Sequence, residues 1–169
     1  YLLISGIPSF QELENPKNNL ASEILDVNGK MFGTYYVENR IPIQYAQLNP
    51  DILNALLATE DERFYTHSGI DFYVLSRVAV KSLLLQNKDS GGGSTLTQQL
   101  AKQLFTRPNN KGKNKLFKMA SLAQSKLKEW IIAVKLERSY TKEEIIAMYL
   151  NIFDFINGAH GIQSAAKIY

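Results

Sequence analysis

The sequence predicts a mainly α-helical domain preceded by a small β-hairpin. Three observations carry that prediction. Apolar residues recur at helical spacing from residue 50 onward, glycine- and proline-bearing breaks cut this stretch into segments of helix length, and strand-like patterning is confined to a short region around Asn28-Gly29. A chain of 169 residues suffices for one domain with a real core. Its 45% hydrophobic and 21% charged content exclude global disorder, and the absence of cysteine excludes disulfide scaffolds and thiolate metal sites. That absence names no compartment, because a cysteine-free chain suits either redox environment. No run approaches the roughly 18–20 apolar residues of a membrane span. Both ends look cut from a longer protein, so any leader or anchor of the parent is left open.

The elements follow in order. Residues 1–21 are mixed in character and read as a linker. Ile24-Leu25 and the run from Met31 to Val37 flank Asn28-Gly29, the strongest short hairpin signal because both turn positions tolerate positive φ. Residues 1–48 are therefore expected to form an N-terminal linker and hairpin element, and 49–169 the helical domain, cut short at its C-terminus. Asn49 is an N-cap with Pro50 in the first turn, and Leu53, Leu56 and Leu57 recur at helical offsets. Residues 71–86 suit a second helix, closed by a loop that ends in three glycines. A third helix starts at Ser94 or Thr95 and runs to about Phe105. After a loop over 107–112, residues 116–138 form a long helix. Thr141-x-x-Glu144 matches a capping box and opens a last clear helix with Ile145, Met148, Tyr149 and Ile152 on its apolar face.

Charge is unevenly spread. Residues 101–138 hold ten lysines and arginines against Glu129 and Glu137, a net of +8, whereas the remainder carries a net of −5. A basic face of this kind fits an anionic partner: nucleic acid, an acidic membrane surface or a phosphate-bearing substrate. A merely solvated face is the plainer alternative.

Several residues are candidates for chemistry. Glu60 continues the Leu53, Leu56, Leu57 spacing, so the pattern delivers a carboxylate to the inward face at the helix C-terminal end. Desolvation and the negative end of the helix dipole both disfavour its charge there, an environment suited to proton transfer. A surface glutamate at a frayed helix end fits the same spacing. Ser94, Gln98 and Lys102 lie four apart and share one helix face, with Leu96, Leu100 and Leu104 on another. Polar donors after glycines at a helix start make an anion site, but not a P-loop, since the lysine lies too far into the helix. Lys126 and Glu129 share a face of the long helix, either as an exposed ion pair or as a lysine and a second carboxylate opposite Glu60. His67 has no companion at metal-ligand spacing and reads as a hydrogen-bonded structural residue, so no metal site is expected. Leu104-Phe105, Leu116-Phe117 and Met119, mixed with lysines, suit either a membrane-surface element or ordinary core packing.

Taken together these runs resemble one family. Glu60-Asp61-x-x-Phe64-x-x-His67-x-Gly69 is similar to its first motif and Gly93-Ser94-Thr95-Leu96-Thr97-Gln98-Gln99-Leu100-Ala101-Lys102 to its second. Lys126-x-x-Glu129 matches the end of the third. Lys142-x-x-Ile145 through Tyr149-Leu150-Asn151 resembles the fourth, and Gly158-Ala159-x-Gly161-Ile162 with Ala165-Ala166 the fifth. The family is the peptidoglycan glycosyltransferases, glycosyltransferase family 51, found in class A penicillin-binding proteins and monofunctional transglycosylases. Three departures stand out: Ser125 where an arginine usually precedes the lysine, Gln103 for asparagine, and Ile156 and His160 for glycine and tyrosine.

The resemblance implies a lysozyme-like fold acting on lipid II, an undecaprenyl-pyrophosphate-linked disaccharide-pentapeptide, and extending a glycan chain. It implies that Glu60 is the general base, Glu129 the second acid of the cleft, and that Ser94, Thr95, Thr97, Gln98, Gln99, Lys102 and Lys126 bind pyrophosphate or sugar. Asp61, Phe64, His67 and Asn151 are expected to support them. The anionic partner would then be a lipid pyrophosphate at a membrane surface and not nucleic acid. The implied location is the extracytoplasmic face of the cytoplasmic membrane, with an N-terminal anchor and a C-terminal transpeptidase domain in the parent. No cofactor is called for, although family members are often stimulated by Mg or Mn. A lysozyme-like muramidase would present a similar fold and glutamate, but a hydrolase of uncharged glycan has no need of clustered lysines. A non-catalytic lipid II or peptidoglycan-binding module is the third reading.

Overall fold

The computed structural model describes residues 22–35, 39–84, 92–104, 114–156 and 158–169. The linker expected over 1–21, the helix ends expected at Gln86 and Phe105, and the loop over 107–112 lie outside the described residues.

The hairpin forms where the turn dipeptide puts it. β1 (Ser22–Leu25) pairs antiparallel with β2 (Met31–Tyr35), Ser22 opposite Tyr35 and Ile24 opposite Gly33. Gly29 takes the positive φ of +77°, and Asp26 closes the turn: its Oδ1 accepts the N–H groups of Asn28 and Lys30, each at 2.8 Å. An aspartate satisfying backbone donors two and four residues on is an Asx-type closure that the dipeptide alone does not encode.

Of the six α-helices among the described residues, five were expected. α1 (Pro50–Glu60) is capped by Asn49, whose Oδ1 accepts the Asp51 N–H at 2.8 Å. α2 (Phe72–Leu84) starts after Asp71, whose Oδ1 accepts from the N–H groups of Tyr73 and Val74. α3 spans Leu96–Leu104 and α4 spans Lys115–Ser139. α5 (Lys142–Ile152) opens with the predicted capping box, the Thr141 N–H donating to Glu144 Oε2 at 2.7 Å and the Glu144 N–H to Thr141 Oγ1 at 3.2 Å. A short α6 (Ile162–Ile168) completes the set.

α3 is the hub, packed against both α4 and α5. Leu96, Leu100 and Ala101 of α3 meet Ile132, Ala133 and Leu136 of α4 and Ile145 and Ile146 of α5, all fully buried together with Phe64. Each large side chain sealed this way stabilises the fold by roughly 1.5–3 kcal/mol. Enclosed by longer neighbours, α3 also buries Thr97 and Gln98. Ser94, Gln98 and Lys102, expected on one polar helix face, differ in environment: Ser94 precedes α3, Gln98 is sealed, and Lys102 is exposed.

A three-stranded sheet was not foreseen. β3 (Asn39–Arg40) runs parallel to β5 (Ala159–His160), and β4 (Asp154–Phe155) runs antiparallel to it, in the order β3-β5-β4. Two-residue strands have no readable period. Asn151 ties the same region down, its Oδ1 accepting from the Ile43 N–H and its Nδ2 donating to the Ile43 carbonyl, both at 2.9 Å. At Gly161, φ is +84° and a Cβ would lie 2.8 Å from the Asn151 carbonyl oxygen, so only glycine fits.

Among the described residues no helix is long and apolar enough to cross a membrane. Of the apolar residues expected at a membrane surface or in the core, Leu104 packs against the core and Phe105 lies outside the described residues, whereas Leu116, Phe117 and Met119 are exposed, as is Leu122 beside them.

Candidate active site

Glu60 stands at the last residue of α1, on a ridge between two concavities. One is a cleft of about 600 Å³ lined by Glu60, Arg63, Tyr73, Arg77, Gly93 and Ser94, among others. The other is an apolar groove of about 320 Å³ that includes Leu56, Tyr149, Phe153, Phe155 and Ile162. Glu60 is exposed, not buried as the leucine spacing implied. The leucines of α1 are only partly buried against the core, so a residue one turn further on clears the protein surface. Glu60 Oε2 accepts the Gln99 amide Nε2 at 2.7 Å, and among the described residues Oε1 has no protein partner.

Behind Glu60 the chain is locked by its buried neighbours. Asp61 accepts the Leu96 N–H at 2.9 Å, joining the end of α1 to the start of α3. It also accepts from His67 Nε2 at 3.1 Å, while His67 Nδ1 accepts from the Gly69 N–H at 3.2 Å. Bonds on both ring nitrogens assign the neutral imidazole with its proton on Nε2. The Gly69 carbonyl accepts Thr95 Oγ1 at 2.7 Å and Gln98 Nε2 at 3.3 Å. Gly69 itself sits at φ +91°, where an added Cβ would come within 3.0 Å of the Ala133 carbonyl carbon and oxygen. Lys142 completes the scaffold: its Nζ donates to the His67 carbonyl at 2.6 Å, pairs with Glu137 at 2.8 Å, and lies 4.2 Å above the Phe64 ring centre. Glu137 also accepts from Thr97.

A cation from α4 reaches the cleft wall through Ser94. Lys126 Nζ donates to Ser94 Oγ at 2.7 Å and to Glu129 Oε2 at 3.2 Å. Glu129 is 1% exposed and Lys126 36%, so this is no surface pair: a buried carboxylate anchors an ammonium that reaches the cleft wall at Ser94. Two arginines that sequence reasoning missed also line the cleft. Arg63 is committed, its Nε 2.8 Å from Asp71 Oδ2 and its guanidinium 4.6 Å above the Tyr73 ring centre. Arg77, one turn further along α2, is exposed. An exposed arginine in a helix carries no local signal, so only the fold could bring it to Ser94. Burial would raise the Asp71 carboxyl, but bonds from the Val74 N–H, Arg63 and the Tyr73 N–H outweigh it and hold the group below the usual range.

The sequence as a whole settles the kinship. A model of the transglycosylase family matches residues 28–169. The chain belongs to the transglycosylase family. It is 40% identical over 149 residues to penicillin-binding protein 1F of Bacillus subtilis, covering 88% of this chain and 19% of that protein. It is 34% identical over 175 residues to penicillin-binding protein 1A of Aquifex aeolicus, covering 99% and 22%, and 32% identical to penicillin-binding protein 1A of Escherichia coli, covering 96% and 18%. The chain thus spans about a fifth of the length of these relatives.

Within this transglycosylase domain the predicted site residues take different places. Glu60, Ser94 and Thr95 line the cleft, Lys126 and Glu129 join it through Ser94, and Gln99 joins it through Glu60. The side chains of Thr95, Thr97 and Gln98 bond to the protein and hold Gly69 and Glu137. Asp61 lines the cleft and bonds Leu96 and His67, Phe64 is fully buried in the core, and Asn151 bonds Ile43. Neither Lys102 nor Lys126 lines these two concavities; Lys102 is exposed in the last turn of α3, whereas Lys126 bonds Ser94 of the cleft wall. Ser125 is buried within α4, and Arg77 is the cleft's uncommitted arginine among the described residues. No group of three or more His, Cys, Asp or Glu able to hold a metal occurs among the described residues.

Proposed function

We propose that this domain is a peptidoglycan glycosyltransferase that polymerises lipid II into β-1,4 glycan with inversion. One observation carries the reading: Glu60 has a carboxylate oxygen with no protein partner among the described residues, in the same cleft where Ser94 holds an anchored lysine. Glu60 Oε1 takes the proton of the acceptor sugar's 4-hydroxyl as that oxygen attacks the anomeric carbon of the growing donor chain. The anomeric bond to pyrophosphate breaks on the opposite face, and lipid pyrophosphate leaves with the electron pair. Lys126, steadied by Ser94 and Glu129, meets the leaving charge, and Arg77 adds the cation that Ser125 does not supply. When substrate covers the cleft it removes water from Glu60 and thereby supplies the desolvation that the free protein lacks.

Further parts of the proposal follow from the same reading. The exposed Leu116, Phe117, Met119 and Leu122, interleaved with Lys115 and Lys118, rest on the membrane surface that carries the lipid substrate. The parent acts on the extracytoplasmic face of the cytoplasmic membrane, tethered by an N-terminal anchor and followed by a transpeptidase domain. The length of the relatives supports further domains. No resident cofactor is needed, so polymerisation survives chelation and Mg or Mn alters its rate only.

The test is incubation of lipid II with the wild-type domain and with Glu60→Gln, with products resolved by length. Glycan from the wild type and none from the variant is the expected result. Shortening of preformed glycan would mean a muramidase instead, and tight binding without turnover in either protein would mean a binding module.

A further inference from the structure

Gln99 bonds Glu60 through one end of its amide; the other end is held by a residue to which no role has been given. Tyr149 of α5 donates its hydroxyl to Gln99 Oε1 at 3.3 Å. The polarity of this chain is forced. A carboxylate only accepts, so Gln99 must turn Nε2 toward Glu60, and Oε1 then needs a donor. The phenol is that donor. It stays protonated through the working pH range, because burial, aided by the charge on Glu60, pushes it up to about 12.

We propose that Tyr149 is a positioning residue for Glu60, acting through Gln99. The inference rests on the reading of Glu60 as the base. With Tyr149 in place the amide has one orientation, Oε2 of Glu60 is fixed, and Oε1 is presented to the acceptor hydroxyl. Without the phenol oxygen the amide is free to turn over and set Oε1 against the carboxylate. The packing of Tyr149 does not account for its oxygen. The ring is 2% exposed and rests 5.3 Å from that of Phe153, a place phenylalanine would fill equally well.

Wild type, Tyr149→Phe, Gln99→Ala, the double variant and Glu60→Gln would be compared on lipid II, with thermal midpoints for each. Tyr149→Phe is expected to lower kcat about threefold to tenfold, the worth of one hydrogen bond, with KM unchanged and the thermal midpoint close to wild type. The double variant is expected to be no slower than Gln99→Ala alone, because Tyr149 works only through Gln99. A wild-type kcat in Tyr149→Phe, a change confined to KM, or losses that multiply in the double variant would each overturn the proposal. Polymerisation by Glu60→Gln would instead overturn the reading of the base itself, so the two failures are distinct.

Discussion

Replacing Lys142 by methionine should markedly destabilise this domain. Lys142 Nζ is 2.8 Å from Glu137, and Glu137 is 5% exposed. At that distance, with an effective dielectric of about 20, the attraction is about 6 kcal/mol before the cost of desolvating both groups. What matters on mutation is the charge left behind. A buried carboxylate stripped of its cation typically costs 3–5 kcal/mol. Lys142 is 21% exposed, so water partly screens the pair, and about 3 kcal/mol is expected. The lost bond to the His67 carbonyl and the lost contact over Phe64 act in the same direction. In a domain of this size that corresponds to a fall of about 6–12 °C in Tm. Urea unfolding of wild type, Lys142→Met, Glu137→Gln and the double variant provides the assay, with equal m-values as the check that stability alone has changed. The double variant should recover at least half of the loss, because it no longer buries an unpaired charge. A cost below about 1 kcal/mol for Lys142→Met, or a double variant as unstable as the two singles summed, would refute the reasoning.

Two other stability predictions concern the loop beneath Glu60. Gly69→Ala forces a non-glycine residue to φ +91° and sets its Cβ 3.0 Å from the Ala133 backbone. The strain and the forced shift together should cost about 2–4 kcal/mol, read by thermal unfolding, and a change within about 0.5 kcal/mol would show that the loop yields freely. Asp71 titrates below the usual carboxylate range in the folded protein, so its contribution is complete above the unfolded value of about 3.9 and is lost as pH falls through the folded one. The stability gap between wild type and Asp71→Asn should accordingly be constant above about pH 5 and shrink below about pH 4. A gap that widens toward acid would contradict the assignment.

Much of the architecture was legible because local chemistry and tertiary packing agree. Asn49 before Pro50, and Thr141 with Glu144, mark helix starts by satisfying backbone donors that any helix leaves open. Asn28-Gly29 marks the hairpin because positive φ is needed there whatever surrounds it. The three-stranded sheet stayed hidden: Asn39 and Ala159 pair across more than a hundred residues, and neither segment has a local preference to announce it.

The site divides along the same line. Residue types and spacing alone picked out Glu60, the Ser94 region and the Lys126–Glu129 pair, since an acid, a helix start and a lysine are chemical facts about the chain. Their environments are not. Periodicity placed Glu60 inside, yet solvent exposure depends on what packs beside α1, and there even the leucines are only partly covered. Lys102 and Lys126 looked equivalent until the fold turned one to solvent and anchored the other between Ser94 and Glu129. Arg77 came to the cleft only through the fold, and Tyr149 came to Gln99 only through the packing of α5 against α3. The sequence by itself determined which groups the chemistry can use. The tertiary structure decided which of them share a cavity, because burial and hydrogen-bond geometry are properties of neighbours brought together from distant parts of the chain.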